Sequence, residues 1–203
     1  MSEVRTYDDL AAEIYAAPAR LGHVRLVTVD GPSGAGKTRF ARRLRRALAA
    51  RGSIVLVELE ALYDGWTLEG AWARLEELVL EPIAAGWDGG FHPYDWSTAS
   101  WNSRWCSVPE RQVLVVEGCG SSPRAADRFT SRRIWIEAPP DVALARAVLR
   151  DGADLDRRLR AWQQMEATHF AEQGTRARAD LRVDGDPALP LRYDPDAAFT
   201  VLS

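Results

Sequence analysis

The chain has 203 residues, 26 Lys and Arg against 29 Asp and Glu, and a net charge of -3; 46% hydrophobic and 27% charged residues exclude a disordered or fibrous chain. The length predicts a self-sufficient core and one domain over 1–203. No apolar run nears the roughly 20 residues of a membrane span, the polar start MSEVRTYDDL is unlike a secretory signal, and Cys106 and Cys119 match no zinc spacing, so the expectation is a cytoplasmic protein with neither membrane nor nucleic acid as partner.

Residues 6–17 read as a small helix with Asp8 and Asp9 near its N-terminus, and Val24–Val29 as a strand with alternating apolar residues. Then comes Gly31-Pro32-Ser33-Gly34-Ala35-Gly36-Lys37-Thr38, which fits G-x-x-x-x-G-K-[ST] at every fixed position. The next run, Arg39 to Leu48, places Phe40, Leu44, Ala47 and Leu48 at helical spacing. Strand, glycine loop and helix together let backbone N–H groups and a helix N-terminus enclose a phosphate. The contact set for a nucleoside triphosphate is Gly31, Pro32, Ser33, Gly34, Ala35, Gly36, Lys37, Thr38 and Arg39. Lys37 serves the β and γ phosphates, and the Thr38 hydroxyl serves Mg²⁺. Of the 26 cationic residues Lys37 is the one lysine, so a guanine-reading Asn-Lys-x-Asp motif is excluded. The lysine is read as contributing charge to the site and nothing to the core.

Ser53–Glu60 reads as a second strand and Leu68–Ala85 as an amphipathic helix with Trp72, Leu75, Leu78 and Val79 on one side. Gly86–Pro109 has no stable period and reads as a long functional loop. Val113–Val116 is a wholly apolar β-branched run ending at Glu117-Gly118, as a central parallel strand should. Residues 134–136 and 181–183 are two further strands, with helices over 141–150 and 155–173. Strands alternating with helices predict an α/β fold: a three-layer P-loop NTPase with a five-stranded parallel sheet, helices on both faces and a mobile lid. Ligands in such sheets collect at the carboxyl ends of the strands. Glu60 and Glu117 fall there, Glu117 in the place of the metal-side carboxylate and Glu60 facing the acceptor. Arg146, Arg150, Arg157, Arg158 and Arg160 surround Asp151-Gly152 and could neutralise a moving phosphoryl group. The lid spans about 151–160 and the acceptor-binding insertion about 61–109.

Taken together these residues resemble the uridine kinase-like branch of P-loop kinases over roughly 24–185. Glu60-Ala61-Leu62-Tyr63 stands where that family has Asp-x-Phe-Tyr, Glu117-Gly118 matches its Glu-Gly, and Tyr94-Asp95-Trp96 looks like its Tyr-Asp-Phe. Val148-Leu149-Arg150-Asp151 repeats its lid entry, and Ala179-Asp180 precedes a β-run as it does there. The resemblance implies ATP and Mg²⁺ as cofactors and a small-molecule acceptor, a nucleoside first. It also implies catalytic roles for Lys37, Glu60, Arg150, Arg157 and Arg158, and metal contacts from Thr38, Glu117 and Glu60. The acceptor pocket would be Tyr63, Asp64, Trp66, Tyr94, Asp95 and Trp96, with Glu60 taking the hydroxyl proton. Two departures are Glu60 in place of aspartate and Ala99 where the family has a base-contacting histidine. The Asp30-Gly31-Pro32-Ser33 start also resembles cytidylate kinases, making a monophosphate kinase the nearest rival and a non-catalytic nucleotide switch the next. Only Arg74 and Arg104 lie within 61–109 to hold an acceptor phosphate.

Overall fold

The computed structural model describes residues 3–202. Strands β1 (Glu3–Thr6), β2 (Arg25–Asp30), β3 (Ile54–Glu58), β8 (Val113–Glu117), β9 (Thr130–Glu137), β10 (Leu181–Asp184) and β11 (Ala198–Val201) form one sheet in the order β1-β11-β10-β9-β2-β8-β3. Four short strands, β4 (Gly89–Phe91), β5 (Tyr94–Asp95), β6 (Ser100–Trp101) and β7 (Cys106–Val108), lie outside it. The helices are α1 (Tyr7–Ala16), α2 (Lys37–Ala49), α3 (Ala71–Leu75), α4 (Glu81–Ala84), α5 (Pro140–Asp151), α6 (Asp156–Gln173) and α7 (Thr175–Arg178).

The five expected strands are present and mutually parallel, but among the described residues the sheet has seven. Two antiparallel strands, β11 beside β10 and β1 beside β11, extend the edge. Alternation along the central strands supplies both faces. Val27, Val29, Val113, Val115, Ile134 and Ile136 pack against α1 and α2. Leu26, Val57, Leu114 and Val116 turn the other way, toward Leu75, Val79, Leu80 and Trp162. Thr6 caps α1 by accepting from the Asp9 N–H at 3.0 Å.

Local differences from the sequence reading have local causes. The helix expected over 68–85 begins at Ala71 and widens into a π turn over Glu76–Leu80 just before Pro82, a residue without the N–H that an α turn would use. The expected loop 86–109 contains two antiparallel pairs, β4 with β7 and β5 with β6. The second strand stops at Glu58, so Glu60 lies on the 3₁₀ turn Leu59–Leu62. Among the described residues no helix is long and apolar enough to cross a membrane.

Candidate active site

The phosphate loop is held from beneath by Asp30. This fully buried carboxylate accepts from the backbone N–H of Gly31 at 2.8 Å, Gly120 at 2.9 Å and Ser122 at 2.9 Å. It thereby ties the loop to the segment after β8. Burial pushes its pKa up to about 6, against those hydrogen bonds and the nearby Lys37 charge. Glycine is required twice in the loop. A Cβ on Gly31 would lie 2.1 Å from the Ile136 carbonyl oxygen, and one on Gly34 2.0 Å from that of Ala143; the two φ angles are +142° and +81°.

Lys37 opens α2 and is only 8% exposed. Its ammonium donates to the Pro32 carbonyl at 2.9 Å and to Cys119 Sγ at 3.3 Å. Burial draws its pKa down, but Cys119, Glu166, Glu117 and Asp30 outweigh that and leave it raised. The view that Lys37 contributes nothing to the core is therefore corrected, because it is the counter-charge of a buried acidic cluster.

Glu117 is 4% exposed at the end of β8, in register with Val29 of β2 and Glu58 of β3. Burial raises its pKa, while Lys37 and a hydrogen bond from the Thr38 hydroxyl act the other way. Thr38 and Glu117 are thus adjacent, and Glu60 lines the same cavity as both. Among the described residues no three His, Cys, Asp or Glu side chains cluster tightly enough to hold a metal alone. One carboxylate, one hydroxyl and room for phosphates is the donor set that fits Mg²⁺, which shares few protein ligands with substrate phosphates.

Two cavities meet at the loop. One, about 720 Å³, lies between Gly34–Arg43, the Arg146–Arg150 stretch of α5 and the segment from Asp184 to Pro195. Arg146 closes it by binding the Gly185 carbonyl at 2.8 Å and the Asp186 carboxylate. The other, about 610 Å³, is lined by Ser33, Lys37, Thr38, Glu58, Glu60, Glu117, Arg150, Asp151 and the rings of Tyr63, Trp66, Trp96 and Trp162. Glu60 is open to solvent at its mouth, yet partial burial and Glu58 raise its pKa against the pull of Arg150 and Lys37.

Of the expected acceptor residues, Glu60, Tyr63, Trp66 and Trp96 come together. Three do not. Asp64 is exposed and outside the cavity. Tyr94 stands behind Trp96, ring centroids 5.3 Å apart. Asp95 spends its carboxylate on its own turn, accepting from the N–H of Ser97 at 2.9 Å and its hydroxyl at 2.6 Å. Of the lid arginines, Arg150 borders both cavities and binds Asp151 in two-pronged fashion at 2.6 and 2.7 Å. Arg157 and Arg158 are exposed and line neither cavity.

Two residues of the site were missed by sequence reasoning. Glu166 of α6, 1% exposed, accepts from the Ser33 N–H at 3.0 Å and from the Cys119 thiol at 3.2 Å. Trp162, one turn earlier, packs on Tyr63 and Trp66. The available signal was a glutamate between Trp162 and Phe170 on the apolar stripe of a helix. Burial pushes the Cys119 thiol well up, so it is a neutral packing element here.

No protein-family model matches the sequence, and no curated protein resembles it in sequence. Solved structures resemble it in fold. A possible uridine kinase from Bacillus stearothermophilus superposes with a TM-score of 0.65 at 16% identity, over 87% of this chain and 96% of its own. A candidate fructose transport system kinase from a Silicibacter species gives 0.61 at 19% identity, over 88% and 98%. With a glycine loop between β2 and α2 and this sheet order, the chain has the fold of a uridine kinase-like P-loop kinase.

Proposed function

We propose that the protein is an ATP-dependent phosphotransferase acting on a hydroxyl of a small molecule that carries no phosphate, within one domain whose 61–109 segment receives the acceptor. The carrying observation is that the phosphate loop is the shared wall of two cavities, with Lys37, Thr38 and Arg150 bordering both. A hydrolase or a switch needs one nucleotide pocket; a kinase needs a second chamber opening on the γ-phosphate. In this reading the nucleoside part of ATP occupies the larger cavity and the acceptor the smaller.

The roles follow from position. Backbone N–H groups of the loop and the start of α2 bind phosphate oxygens, and Lys37 offsets their charge. Thr38 and Glu117 would hold Mg²⁺, which would supply positive charge to offset that of the phosphates. Glu60 orients the acceptor hydroxyl and receives its proton as the oxygen–phosphorus bond forms and ADP departs with the electron pair of the broken bond. Its raised pKa brings it nearer to the range useful for that exchange. Arg150 is placed to cover the moving phosphoryl group.

The 61–109 segment brings no arginine to the smaller cavity for an acceptor phosphate. Arg74 donates to the Leu62 carbonyl at 2.8 Å and lies over the Trp101 ring, and Arg104 is exposed outside the cavity. This disfavours the monophosphate-kinase reading. The likeness to a possible uridine kinase makes a nucleoside the first neutral acceptor to try. The test is ADP release from ATP·Mg²⁺ with and without nucleosides, sugars and alcohols, alongside thermal melting. A melting rise with ATP·Mg²⁺ but no acceptor-stimulated ADP across the panel would turn the reading toward a switch.

A further inference from the structure

The smaller cavity contains a closed circuit of four aromatic rings. Tyr63 meets Trp96 (6.4 Å between centroids, 87°), Trp96 meets Trp66 (5.6 Å, 78°), Trp66 meets Trp162 (5.9 Å, 79°), and Trp162 returns to Tyr63 (5.4 Å, 46°). All four rings border the cavity. Tyr63 and Trp162 are buried at 4% and 6%, whereas Trp96 is 42% exposed, so the circuit has a fixed inner side and an open outer one. The Tyr63 hydroxyl is already committed, donating to the Cys119 carbonyl at 2.7 Å, so that ring offers the acceptor its π system.

No consecutive pair in this circuit is parallel. A planar base is sandwiched best between parallel rings; steeply tilted walls instead form corners that suit a compact, three-dimensional group. A cation seated in the cavity against any of these rings would lie inside the ~6 Å reach of cation–π attraction.

Charge points the same way. Arg42 pairs with Glu58 at 3.2 Å and Arg150 with Asp151 at 2.6 Å. On the kinase reading Lys37 and Glu117 are occupied by phosphates and Mg²⁺. Among the described residues Glu60 is left lining the chamber without an ion-pair partner, and the triphosphate beside it adds more negative charge. A positively charged acceptor is drawn into this field and a neutral one is not.

We propose that the acceptor is a hydroxyl compound bearing an ammonium group, an amino alcohol or amino sugar, held with its cation in the Tyr63–Trp66–Trp96–Trp162 circuit and its hydroxyl at Glu60. This rests on the kinase reading and narrows it away from nucleosides. The transfer is unchanged: the acceptor oxygen gains the γ-phosphoryl group, ADP leaves, and the hydroxyl proton goes to Glu60.

The test compares choline and ethanolamine with uridine and with the uncharged isostere of choline, in which a tert-butyl group replaces the trimethylammonium. ADP release is read at fixed ATP·Mg²⁺, and nucleotide binding is followed separately by melting temperature. At least one ammonium alcohol should stimulate ADP release with kcat/KM about tenfold or more above the isostere, a factor in keeping with a desolvated cation–π contact. Trp96→Leu, at a half-open position, should erase most of that preference without lowering the ATP-induced melting rise. Tetramethylammonium chloride should quench tryptophan fluorescence more than sodium chloride at equal ionic strength, less so in Trp96→Leu. If ATP binds and uridine or the neutral isostere is preferred, or no ammonium compound is turned over, the proposal falls and the kinase reading stands or falls on the neutral acceptors. If ATP·Mg²⁺ does not bind, both fall.

Discussion

Replacing Lys37 by methionine keeps the length and apolar stem of the side chain and removes its charge. In the wild type that charge lies among Asp30, Glu117 and Glu166, three buried carboxylates whose pKa values are all raised by burial. A carboxylate with a raised folded pKa favours folding most when protonated. Its contribution is fully present below the unfolded value and is lost as pH climbs through the folded one. For Asp30 the rise from 3.8 to about 6 corresponds to roughly 3 kcal/mol at ~1.4 kcal/mol per pH unit. Lys37 opposes all three rises. Without it the carboxylates ionise at still higher pH and at greater cost. The Lys37 ammonium donates to Pro32 and Cys119 and reaches the carboxylates through space, so the cost is at most the ~3–5 kcal/mol of breaking a direct buried pair. Urea unfolding should therefore show Lys37→Met destabilised by up to that much at pH 8 and far less near pH 5, where protonation removes the need for a counter-charge. ATP·Mg²⁺ should raise the melting temperature of the wild type and leave the variant unmoved at either pH. Equal stabilities at pH 8, or a deficit that does not change with pH, would refute the cluster argument.

Four other substitutions separate the roles of the site. Glu60→Gln should lower the phosphoryl-transfer rate by ~10²–10⁴-fold, the usual worth of general-base assistance, with the ATP-induced melting rise nearly intact; a rate within threefold of wild type would remove Glu60 from the chemistry. Arg150→Ala should reduce kcat more than ATP affinity in steady-state kinetics, since a contact that strengthens toward the transition state is lost, and an equal loss of both would mark it as a ground-state anchor. Gly36→Ala meets nothing within 4 Å and bears only the strain of φ +103°, about 1–3 kcal/mol. Gly34→Ala adds the collision with the Ala143 carbonyl and should cost a further ~1–3 kcal/mol in urea unfolding; two equally stable variants would contradict the packing of loop against α5.

The central strands were legible because each is a short apolar run that must alternate between two covered faces. The edge strands were not. Glu3–Thr6 and Ala198–Val201 are four residues each, and their pairing is reinforced by contacts that exist only after folding, Tyr7, Phe40 and Phe199 meeting at 5.0–5.2 Å. Strands of two and three residues in the 86–109 segment likewise leave no period to detect. In the site, Lys37 and Thr38 could be located from sequence because a glycine loop between strand and helix admits one geometry, and Glu117 because it ends an apolar strand that pairs with β2. Asp64, Tyr94 and Asp95 were assigned to the pocket by analogy with acceptor elements, and there the local turn decides instead. Asp95 satisfies Ser97 before any ligand.

The two halves of the site differ in what holds them. The phosphate half is backbone fixed by buried charge. Asp30 joins β2 to the segment after β8, and Glu166 joins α6 to Ser33, so loop, sheet and α6 share one buried network. The half that the kinase reading gives to the acceptor is built of side chains from the 61–109 segment closing on Trp162 of that same α6. Trp162 and Glu166 stand four residues apart, one helical turn, so a shift of α6 moves the wall of the acceptor chamber and the brace of the phosphate loop together. Upstream, Gly152 at φ +111° separates α6 from α5, where Arg146 is pinned to Gly185 and Asp186 while Arg150 binds only its neighbour Asp151. One arginine tied to a distant segment and another tied only locally, a turn apart and followed by a glycine, is an arrangement compatible with a hinge at Gly152. On the kinase reading, Arg150 can then exchange Asp151 for the triphosphate as α6 brings Trp162 onto the acceptor, so that transfer to the hydroxyl is favoured over transfer to water.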